Sequence, residues 1–286
     1  MSGTSTTKKP TVVILSGFPG KMSRLLREAI LRCPDDFELA NFAFTGPEIT
    51  EDQDAASGIS LVRPENRKLA LADISYMRTE QKSTVVVADF SQPDAVNGNV
   101  EFFCENWIPF IMGTTGGDRI QLRRAVECSR TCAVIAPNMA AEVVALHATF
   151  QMAAKMFPGV FAGFEAAVVE SHQKGKKDPS GTAISFMDSF ARLGAPFTVE
   201  DIGMIRDPVV QQHLLGVPPE YLGGHGWHEY TLCAPDGSVR VGLFHNINGR
   251  APYVAGALKA LRFLSKKIEL GIRGQAFDML DVLKAG

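Results

Sequence analysis

Residues that can exchange protons and bind anions are concentrated in one segment, which runs from Glu170 to Ala183. His172 can donate or accept a proton near neutral pH. Lys176 offers a cation for a carboxylate, and Ser180–Thr182 stands before a helical pattern whose first N–H groups can hold a second carboxylate. A solvated lysine-rich turn followed by an ordinary N-cap serine fits the same residues. The segment therefore indicates either acid–base chemistry on a dicarboxylate or a plain surface turn.

A second candidate site lies near the N-terminus. Thr11–Ser16 is an apolar run of strand length, typical of a strand buried on both faces. Gly17 and Gly20 follow it, and a helical pattern begins at Met22. In a dinucleotide site the first glycine permits the turn, and the second lets the backbone approach the pyrophosphate. The pattern is degenerate because Ser23 takes the third glycine's place, so a structural turn is the alternative.

The end of the second predicted strand indicates which dinucleotide binds. A site specific for NAD usually places an acidic residue there, on the ribose hydroxyls. Here the strand ends in Ala43–Gly46, and no carboxylate follows until Glu48. Lys21, in the first turn of the preceding helix, is positioned to neutralise a 2′-phosphate. We therefore expect NADPH as the preferred cofactor with NADH as the second choice, and a site indifferent to the phosphate is the alternative.

Small and polar residues also follow three further predicted strands in the first half of the chain. They are Asp89–Ser91, Gly113–Gly116 and Pro137–Asn138. Ligands of open α/β sheets bind outside the carboxyl ends of the strands. Three such loops at successive strand ends favour a cofactor crevice over three unrelated turns.

The elements that must position these residues alternate between strand and helix in the first half of the chain. Strands are predicted at 37–44, 83–91, 108–112 and 132–136, with helices at 93–107 and 120–129. After Asn138 the pattern changes. A long helix at 139–157, apolar nearly all round, is expected to be buried. A strand at 166–173, a helix at 181–193 stopped by Gly194, a hairpin about Pro235–Gly237 and an amphipathic helix at 254–268 follow.

This order predicts an α/β protein of two domains. The first is a Rossmann-like parallel sheet domain, and the second is an α+β domain with an open mixed sheet. We place the dinucleotide-binding domain at 1–138, completed by 256–286, and the substrate-binding and oligomerisation domain at 139–255.

Composition excludes several classes of function. The 286 residues are 45% hydrophobic and 21% charged, which excludes a disordered protein. A net charge of -2 argues against binding to nucleic acid or to an anionic membrane. No apolar run reaches the roughly 18 residues of a membrane span. The five cysteines fit no disulfide framework, so we expect a soluble protein in a reducing compartment. Met1–Pro10 is expected to be a disordered lead-in rather than a signal or full transit peptide.

The segment from Glu170 to Ala183 resembles the signature of a known family. His172-x-x-x-Lys176-x-Asp178, followed by Ser180–Ala183, is similar to the signature of the dihydrodipicolinate (4-hydroxy-tetrahydrodipicolinate) reductase family. The resemblance covers almost the whole chain, because further family motifs occur in the family's order. They are the N-terminal glycine turn, Asp89–Ser91, Gly113–Gly116, Pro137–Met139, Gly224–His225, His245–Arg250 and Asp278–Leu283. The plant-type branch in particular is resembled at Glu170–Gln173 and Met204–Pro208.

The resemblance implies a reaction and residue roles. Hydride would pass from C4 of NADPH or NADH to the C=C–C=N system of dihydrodipicolinate, giving tetrahydrodipicolinate in the diaminopimelate route to lysine. It implies His172 as proton donor and Lys176 as a carboxylate ligand that shares in catalysis. The remaining substrate-binding residues would be Gln173, Ser180, Gly181 and Thr182. The cofactor-binding residues would be Gly17, Gly20, Lys21, Met22, Thr45, Phe90, Gly113, Thr114, Thr115, Pro137, Asn138 and Met139, and no metal is implied.

The chain departs from the family pattern at two points. Many bacterial members carry a second histidine where this chain has Gln173, which can hydrogen-bond substrate but cannot act as an acid. One residue is also missing between Asp178 and Ser180 relative to the commoner form, so a slightly tighter loop is expected.

There are two alternatives to the reductase. One is another amino- or imino-acid dehydrogenase of this layout, and the other is a nucleotide-sensing regulator without catalysis.

The other histidines and Arg250 have open roles. His225 and His228 are three residues apart, as in a metal pair, although structural or substrate-lining roles fit better without a third ligand nearby. Arg250 is expected to reach substrate or cofactor, or to form a salt bridge.

Family members cover the open sheet of the second domain by oligomerising. We therefore expect a homodimer or homotetramer that acts on a small cyclic dicarboxylate, in the plastid stroma or the cytoplasm.

Overall fold

A computed structural model describes residues 9–286 of the chain. Its strands are β1 (Thr11–Ser16), β2 (Phe37–Leu39), β3 (Phe42–Phe44), β4 (Ser60–Val62), β5 (Val85–Asp89), β6 (Phe110–Met112), β7 (Cys132–Ile135), β8 (Glu165–His172), β9 (Ile202–Ile205), β10 (His225–Cys233), β11 (Arg240–Asn248) and β12 (Gln275–Phe277). Its α-helices are α1 (Lys21–Leu31), α2 (Ala70–Thr79), α3 (Val96–Glu105), α4 (Arg119–Glu127), α5 (Ala141–Met156), α6 (Gly181–Leu193), α7 (Pro208–His213), α8 (Ala251–Glu269) and α9 (Met279–Lys284). The expected lead-in falls almost entirely outside the described residues.

The chain divides into two units. The first comprises the described part of Met1–Met139 together with Tyr253–Gly286, and the second is Ala140–Pro252. The second boundary lies within the first turn of α8. Among residues 9–286, no helix combines the length and the hydropathy that a membrane crossing needs.

The first unit is built on a parallel sheet in the order β12-β7-β6-β5-β1-β3-β4, with β2 beside β1. Every residue of β1, β5, β6 and β7 is buried, as expected for strands covered on both faces. On one face of the sheet the core joins strand residues such as Ile14 and Val87 to a group of phenylalanines. That group is Phe44, Phe102, Phe103 and Phe110. The Rossmann-like prediction is confirmed.

The second unit holds a mixed sheet in the order β11-β10-β8-β9. β10 pairs antiparallel with β8 and β11, whereas β9 runs parallel to β8. Phe186 and Phe190 of α6 pack on Tyr230 and Val168 of the sheet, and this contact forms the core of the unit. The open mixed sheet and the hairpin at Pro235–Gly237 are therefore as predicted.

Three predicted elements differ from the structure. The strand expected at 37–44 is two short strands, because the chain leaves β1 after Leu39 and rejoins it only at Phe44. The helix expected at 93–107 opens with a 3₁₀ turn at Pro93–Ala95. The expectation that the helix at 139–157 is buried is wrong. Ala141, Val143 and Ala154 of α5 are buried, whereas Met152 and Met156 are exposed, because one face of α5 packs on α6 and the other does not.

Candidate active site

His172 is held at the end of β8 by the neighbouring strand. Its Nδ1 atom lies 3.1 Å from the carbonyl oxygen of His225 on β10. Since a carbonyl can only accept, Nδ1 carries the proton and donates it. Gly226 pairs with His172 across the sheet, and a Cβ there would come within 3.0 Å of the imidazole. The other nitrogen, Nε2, is buried and has no hydrogen-bond partner among the described residues. The ring is thus fixed with one nitrogen left for chemistry.

The surroundings of His172 keep its imidazole neutral. Burial lowers the pKa of His172 to about 4, and the charges of His228 and Arg206 act in the same direction. Glu170 opposes them, with its Oε2 atom 3.8 Å from Nε2 of His172. A negative charge brought close to Nε2 would raise this pKa.

Glu170 is a fully buried carboxylate whose oxygens are both occupied. Oε1 accepts a short hydrogen bond from Arg206, and Oε2 accepts one from the Ser180 amide at 2.9 Å. Nε2 of His228 lies 3.6 Å from Oε2. Burial alone would raise the pKa of Glu170, but the hydrogen bonds from His228, Ser180 and Arg206 outweigh it and hold that pKa below its usual range. Glu170 is therefore a permanent anion two residues before His172.

Arg206 joins β8 to the loop that follows it. Besides Glu170, its guanidinium donates to the carbonyl oxygen of Lys176 at 2.9 Å and to that of Glu170 at 3.3 Å. Gln211, fully buried on α7, donates to the carbonyl oxygen of His172 at 2.6 Å. Both residues come from the segment after β9, which therefore positions the loop and the end of β8.

The loop from Gln173 to Ser180 ends at the N-terminus of α6. A backbone bond of 3.0 Å from the Lys176 amide to the Gln173 carbonyl closes a turn, and the Lys176 ammonium donates to the Pro179 carbonyl at 3.3 Å. Ser180 caps the helix, since its hydroxyl accepts from the Ala183 amide at 3.0 Å and lies 2.7 Å from Nε2 of His228. Gly181 and Thr182 form the first turn, where the helix dipole favours an anion.

Three imidazoles lie in a row on this sheet. The ring centroids of His172 and His228 are 5.1 Å apart, and those of His228 and His245 are 4.5 Å apart. Burial lowers the pKa of His245 to about 3, with further contributions from His228 and His172. His225 is separate from the row, with Nδ1 3.1 Å from the Tyr221 carbonyl and Nε2 2.8 Å from the Ser171 hydroxyl. The less favoured alternative, a metal bound by His225 and His228, therefore has no support among the described residues.

One group in this unit has the geometry of a metal site. Potential ligand atoms of Glu170, His172 and His228 lie within 4.8 Å of one another. The Arg206 guanidinium, however, already neutralises the carboxylate, and a cation would have to displace it from Glu170. The group is better suited to holding His172 beside an anion than to holding a metal.

The glycine turn in the first unit has the geometry that a nucleotide site needs. Gly17 adopts a φ of 79°, and a Cβ there would lie 2.4 Å from the Phe90 carbonyl oxygen. Gly20 is the N-cap of α1, and its amide donates to the Gly17 carbonyl at 2.9 Å. Ser23 is buried, and its hydroxyl donates to the Gly17 carbonyl at 3.2 Å. The degenerate third position thus reinforces the turn.

Asp89 ties the loops at the carboxyl edge of the parallel sheet together. It is fully buried, and its two oxygens accept hydrogen bonds from the hydroxyls of Ser16, Ser91 and Thr114 at 2.8, 2.7 and 3.0 Å. The Asn99 amide donates to it at 2.7 Å. This network links the ends of β1, β5 and β6, so the loops that follow these strands share one edge.

The remaining predicted cofactor residues lie at this same edge. A Cβ at Gly113 would lie 2.2 Å from the Phe90 ring, which shows how closely the loops after β5 and β6 approach. Thr45 follows β3 and has a buried hydroxyl without a hydrogen-bond partner among the described residues. Lys21 and Met22 begin α1, and Thr115 follows β6. The segment after β7 contributes Pro137, Asn138 and Met139.

Glu48 is closer to the end of β3 than its sequence position indicates. Its carboxylate folds back onto Gly46, where a Cβ would lie 2.2 Å from Oε2. A carboxylate therefore lies beside Gly46, two residues beyond the end of β3. The preference for NADPH stays a prediction, and the Glu48 carboxylate is a charge that acts against it.

Comparison with known proteins identifies the relatives of this chain. Residues 11–139 match the family model described as dihydrodipicolinate reductase, N-terminus, and residues 142–283 match the one described as dihydrodipicolinate reductase, C-terminus. The chain belongs to the dihydrodipicolinate reductase family. The two matches together cover both units.

Individual relatives agree with this family. The probable 4-hydroxy-tetrahydrodipicolinate reductase 1, chloroplastic, of Oryza sativa subsp. japonica is 37% identical over 96% of this chain and 79% of its own length. The 4-hydroxy-tetrahydrodipicolinate reductase 1, chloroplastic, of Arabidopsis thaliana is 36% identical over 96% and 78%. The reductase of Herminiimonas arsenicoxydans is 30% identical over 95% and 97%. The expected resemblance to the plant-type branch is confirmed.

A solved structure supports the fold. The dipicolinate-bound dihydrodipicolinate reductase of Paenisporosarcina sp. TG-14 superposes with a TM-score of 0.63 at 17% identity, covering 94% of this chain and 97% of that one. The prediction of a dihydrodipicolinate reductase fold of class α/β is therefore confirmed.

Sequence reasoning missed several residues that shape this dihydrodipicolinate reductase site. Glu170 shares the face of β8 with His172, since residues two apart on a strand point the same way, so the alternation contained a signal for it. Arg206 and Gln211 lie in or just after a family motif but gave no sign of contacting β8. Arg250 was expected to reach substrate or cofactor, or to form a salt bridge. It has no carboxylate partner among residues 9–286.

Proposed function

We propose that this chain catalyses the NAD(P)H-dependent reduction of dihydrodipicolinate, formed from 4-hydroxy-tetrahydrodipicolinate, to tetrahydrodipicolinate in the diaminopimelate route to lysine. The observation that carries the proposal is the imidazole of His172, fixed by Nδ1 on the His225 carbonyl with Nε2 buried and unpartnered. Membership of the dihydrodipicolinate reductase family supports the same reaction.

His172 is the proton donor in this proposal. A reduced nicotinamide supplies the hydride when bound, and the substrate then needs one proton to balance the charge that the hydride brings. With a pKa of about 4 the free imidazole is neutral at pH 7, so it must gain its proton in the presence of substrate. A dicarboxylate beside Nε2 favours the charged imidazolium, because an opposite charge nearby raises a histidine pKa. Glu170, an anion held 3.8 Å from Nε2, acts in the same direction.

The substrate carboxylates are assigned to the loop and to the first turn of α6. Lys176 supplies a cation, and Gly181 and Thr182 supply the helix N-terminus. Gln173 follows β8 directly and contributes a hydrogen bond without acting as an acid. Both polar groups of Ser180 are engaged by Glu170, Ala183 and His228, so Ser180 acts by positioning them. Arg250 is a further candidate ligand for a carboxylate.

Nucleotide binding is assigned to the first unit. Gly17 and Gly20 accept the pyrophosphate at the N-terminus of α1, with Lys21 and Met22 beside it. We propose NADPH as the preferred cofactor because Lys21 can neutralise a 2′-phosphate, with Glu48 opposing this preference and allowing NADH to bind. The further residues along the carboxyl edge are Thr45, Phe90, Gly113, Thr114, Thr115, Pro137, Asn138 and Met139.

The second unit is assigned to substrate binding and to self-association. β11 is one of the two edge strands of the mixed sheet, and its Phe244 is exposed. Exposed edges and large exposed apolar residues favour a partner surface. We propose a homodimer or homotetramer built on this sheet. The plastid is proposed as the compartment, because plant relatives carry the word chloroplastic in their names.

One assay tests the proposed reaction. Freshly generated dihydrodipicolinate is mixed with the protein and NADPH, or with NADH, and the loss of nicotinamide absorbance is followed. Turnover that depends on both substrate and protein is expected, faster with NADPH. Absence of turnover with either cofactor, for a protein that is folded and binds nucleotide, would overturn the assignment.

A further inference from the structure

Four cationic side chains surround a cavity at the amino ends of the strands in the first unit. The cavity has a volume of about 740 Å³, and its cations are Arg78, Lys82, Arg130 and Arg273. They come from four separate segments: the end of α2 and the loops that enter β5, β7 and β12. Because the strands are parallel, this edge is opposite the carboxyl edge that holds the glycine turn. The cavity is therefore distinct from the nucleotide site.

No carboxylate of residues 9–286 neutralises the charge in this cavity. No aspartate or glutamate lines it, and none of the four cations forms an ion pair with a described carboxylate. Burial lowers the pKa of Arg78, and the charge of Arg273 adds to that effect. Like charges held together in a partly desolvated site repel one another, and a bound anion would relieve the repulsion.

Two of the residues that line the cavity have left-handed backbone conformations just after a helix. Lys82 and Trp107 have φ angles of 51° and 52°, and no other non-glycine residue of 9–286 has a positive φ. Both residues line the cavity. Two of the cations hold Trp107 in place: Arg78 donates to its carbonyl oxygen at 3.1 Å, and the Arg130 guanidinium lies 5.1 Å from its ring centroid. Bonds from the Ser83 amide to the Met77 carbonyl at 2.9 Å and from the Ile108 amide to the Phe103 carbonyl at 2.8 Å close these helix ends. They fix Lys82 and Trp107 beside the cavity.

We infer that this cavity is a binding site for a small phosphate-bearing anion. Three guanidinium groups offer forked N–H pairs that match phosphoryl oxygens, and Lys82 adds a point charge. Ser83 and Thr84, which also line the cavity, contribute hydroxyl groups. The volume exceeds that of a single phosphate ion and suits a diphosphate or a phosphorylated metabolite. All residues that line the cavity belong to the first unit, and none of them takes part in the proposed reaction.

Isothermal titration of the full-length protein with pyrophosphate tests this site. Saturating NADP⁺ occupies the glycine turn, which would otherwise bind pyrophosphate too. We expect one site per chain, with an affinity that falls as salt increases. The R130Q/R273Q double variant removes two exposed cations and is expected to weaken binding by about tenfold or more. The matched control is R262Q, which removes an arginine of the same unit that pairs with Asp36 instead.

The outcomes separate the possibilities. Binding that is lost in R130Q/R273Q and kept in R262Q supports the site, and so does quenching of Trp107 fluorescence by pyrophosphate. No binding in the presence of NADP⁺, or equal affinity in both variants, overturns it. A second titration replaces pyrophosphate with citrate, an anion without phosphoryl groups. Equal binding of citrate and pyrophosphate would overturn the phosphoryl preference, whereas weaker binding of citrate supports it. Melting curves and nucleotide affinity show that each variant is folded.

Discussion

The Nδ1 atom of His172 lies 3.1 Å from the carbonyl oxygen of His225, and this contact decides the tautomer of the imidazole. Nδ1 must carry the proton, so Nε2 is the atom that can receive another one and pass it on. The contact joins neighbouring antiparallel strands, so the sheet itself fixes the orientation of the ring. Nε2 and the groups around it are therefore the centre of the proposed proton transfer.

Replacing Glu170 by glutamine removes a buried negative charge and leaves the shape of the side chain almost unchanged. The carboxylate raises the pKa of His172, so its loss should lower that pKa further. We expect kcat to fall by about tenfold, equivalent to roughly 1.4 kcal/mol, and the pH profile of kcat to move to lower pH. Steady-state rates between pH 5 and 9 measure both effects.

The control for Glu170→Gln is D188N in α6, whose carboxylate is exposed and pairs with Arg192. It should leave rate and profile unchanged. An E170Q profile that superposes on that of the unmodified protein would show that Glu170 stabilises the fold only.

Lys176→Ala tests the carboxylate role of this residue. Among the residues that the structure describes, its ammonium makes one hydrogen bond, to the Pro179 carbonyl, so its removal should cost little stability. Loss of a charge-assisted bond to substrate should raise KM by about tenfold or more, with nucleotide affinity unaffected. The matched variant is K174A, an exposed lysine of the same turn. Equal KM values for the two variants would exclude Lys176 as the ligand.

The cofactor preference is expected to depend on two opposing charges. Lys21→Ala should weaken NADPH binding by several-fold and leave NADH binding nearly unchanged, because NADH lacks the 2′-phosphate. Glu48→Gln should act in the opposite direction, since its carboxylate lies against Gly46 at the end of β3. Dissociation constants for both nucleotides and both variants test this. A ratio of NADPH to NADH affinity that neither variant changes would contradict the assignment.

Much of the fold was predictable, since local signals determine it. α6 has the predicted bounds because Ser180 caps one end and Gly194, with a φ of 97°, ends the other. The buried parallel strands were evident as apolar runs. The exposed face of α5 was not evident, since exposure depends on what the tertiary fold places against each face.

The site was only partly predictable for a similar reason. His172, Lys176 and Ser180 are close in sequence, so one motif contains them. Arg206 reaches Glu170 because β9 pairs in parallel with β8, with Met204 opposite Glu170, and no spacing in the sequence encodes that register. The position of the Glu48 carboxylate was not predictable for the same reason, because a loop conformation brings it back to Gly46.

Stability should fall as the pH decreases from about 6.5 towards 4. His172 and His245 have pKa values lowered from 6.5 to about 4 and about 3, so in this range the unfolded chain binds protons that the folded chain does not. Each histidine contributes a slope of about 1.4 kcal/mol per pH unit in the free energy of unfolding. Urea titrations at pH 7, 6, 5 and 4.5 measure it.

His245→Phe keeps an aromatic ring and removes one titrating group, so the slope should decrease by about 1.4 kcal/mol per pH unit. The comparison variant is H213Q, because His213 is exposed on α7. It should leave the slope as it is. If H245F does the same, the imidazole of His245 is not held neutral by the fold.

The most direct test of the account is the turnover of His172→Gln with dihydrodipicolinate and NADPH. Glutamine can keep the hydrogen bond to the His225 carbonyl but cannot donate a proton as an acid. We predict that kcat falls by about 100-fold or more while the dissociation constant for NADPH stays within about twofold. A His172→Gln protein whose kcat equals that of the unmodified chain would contradict the central claim that His172 protonates the substrate.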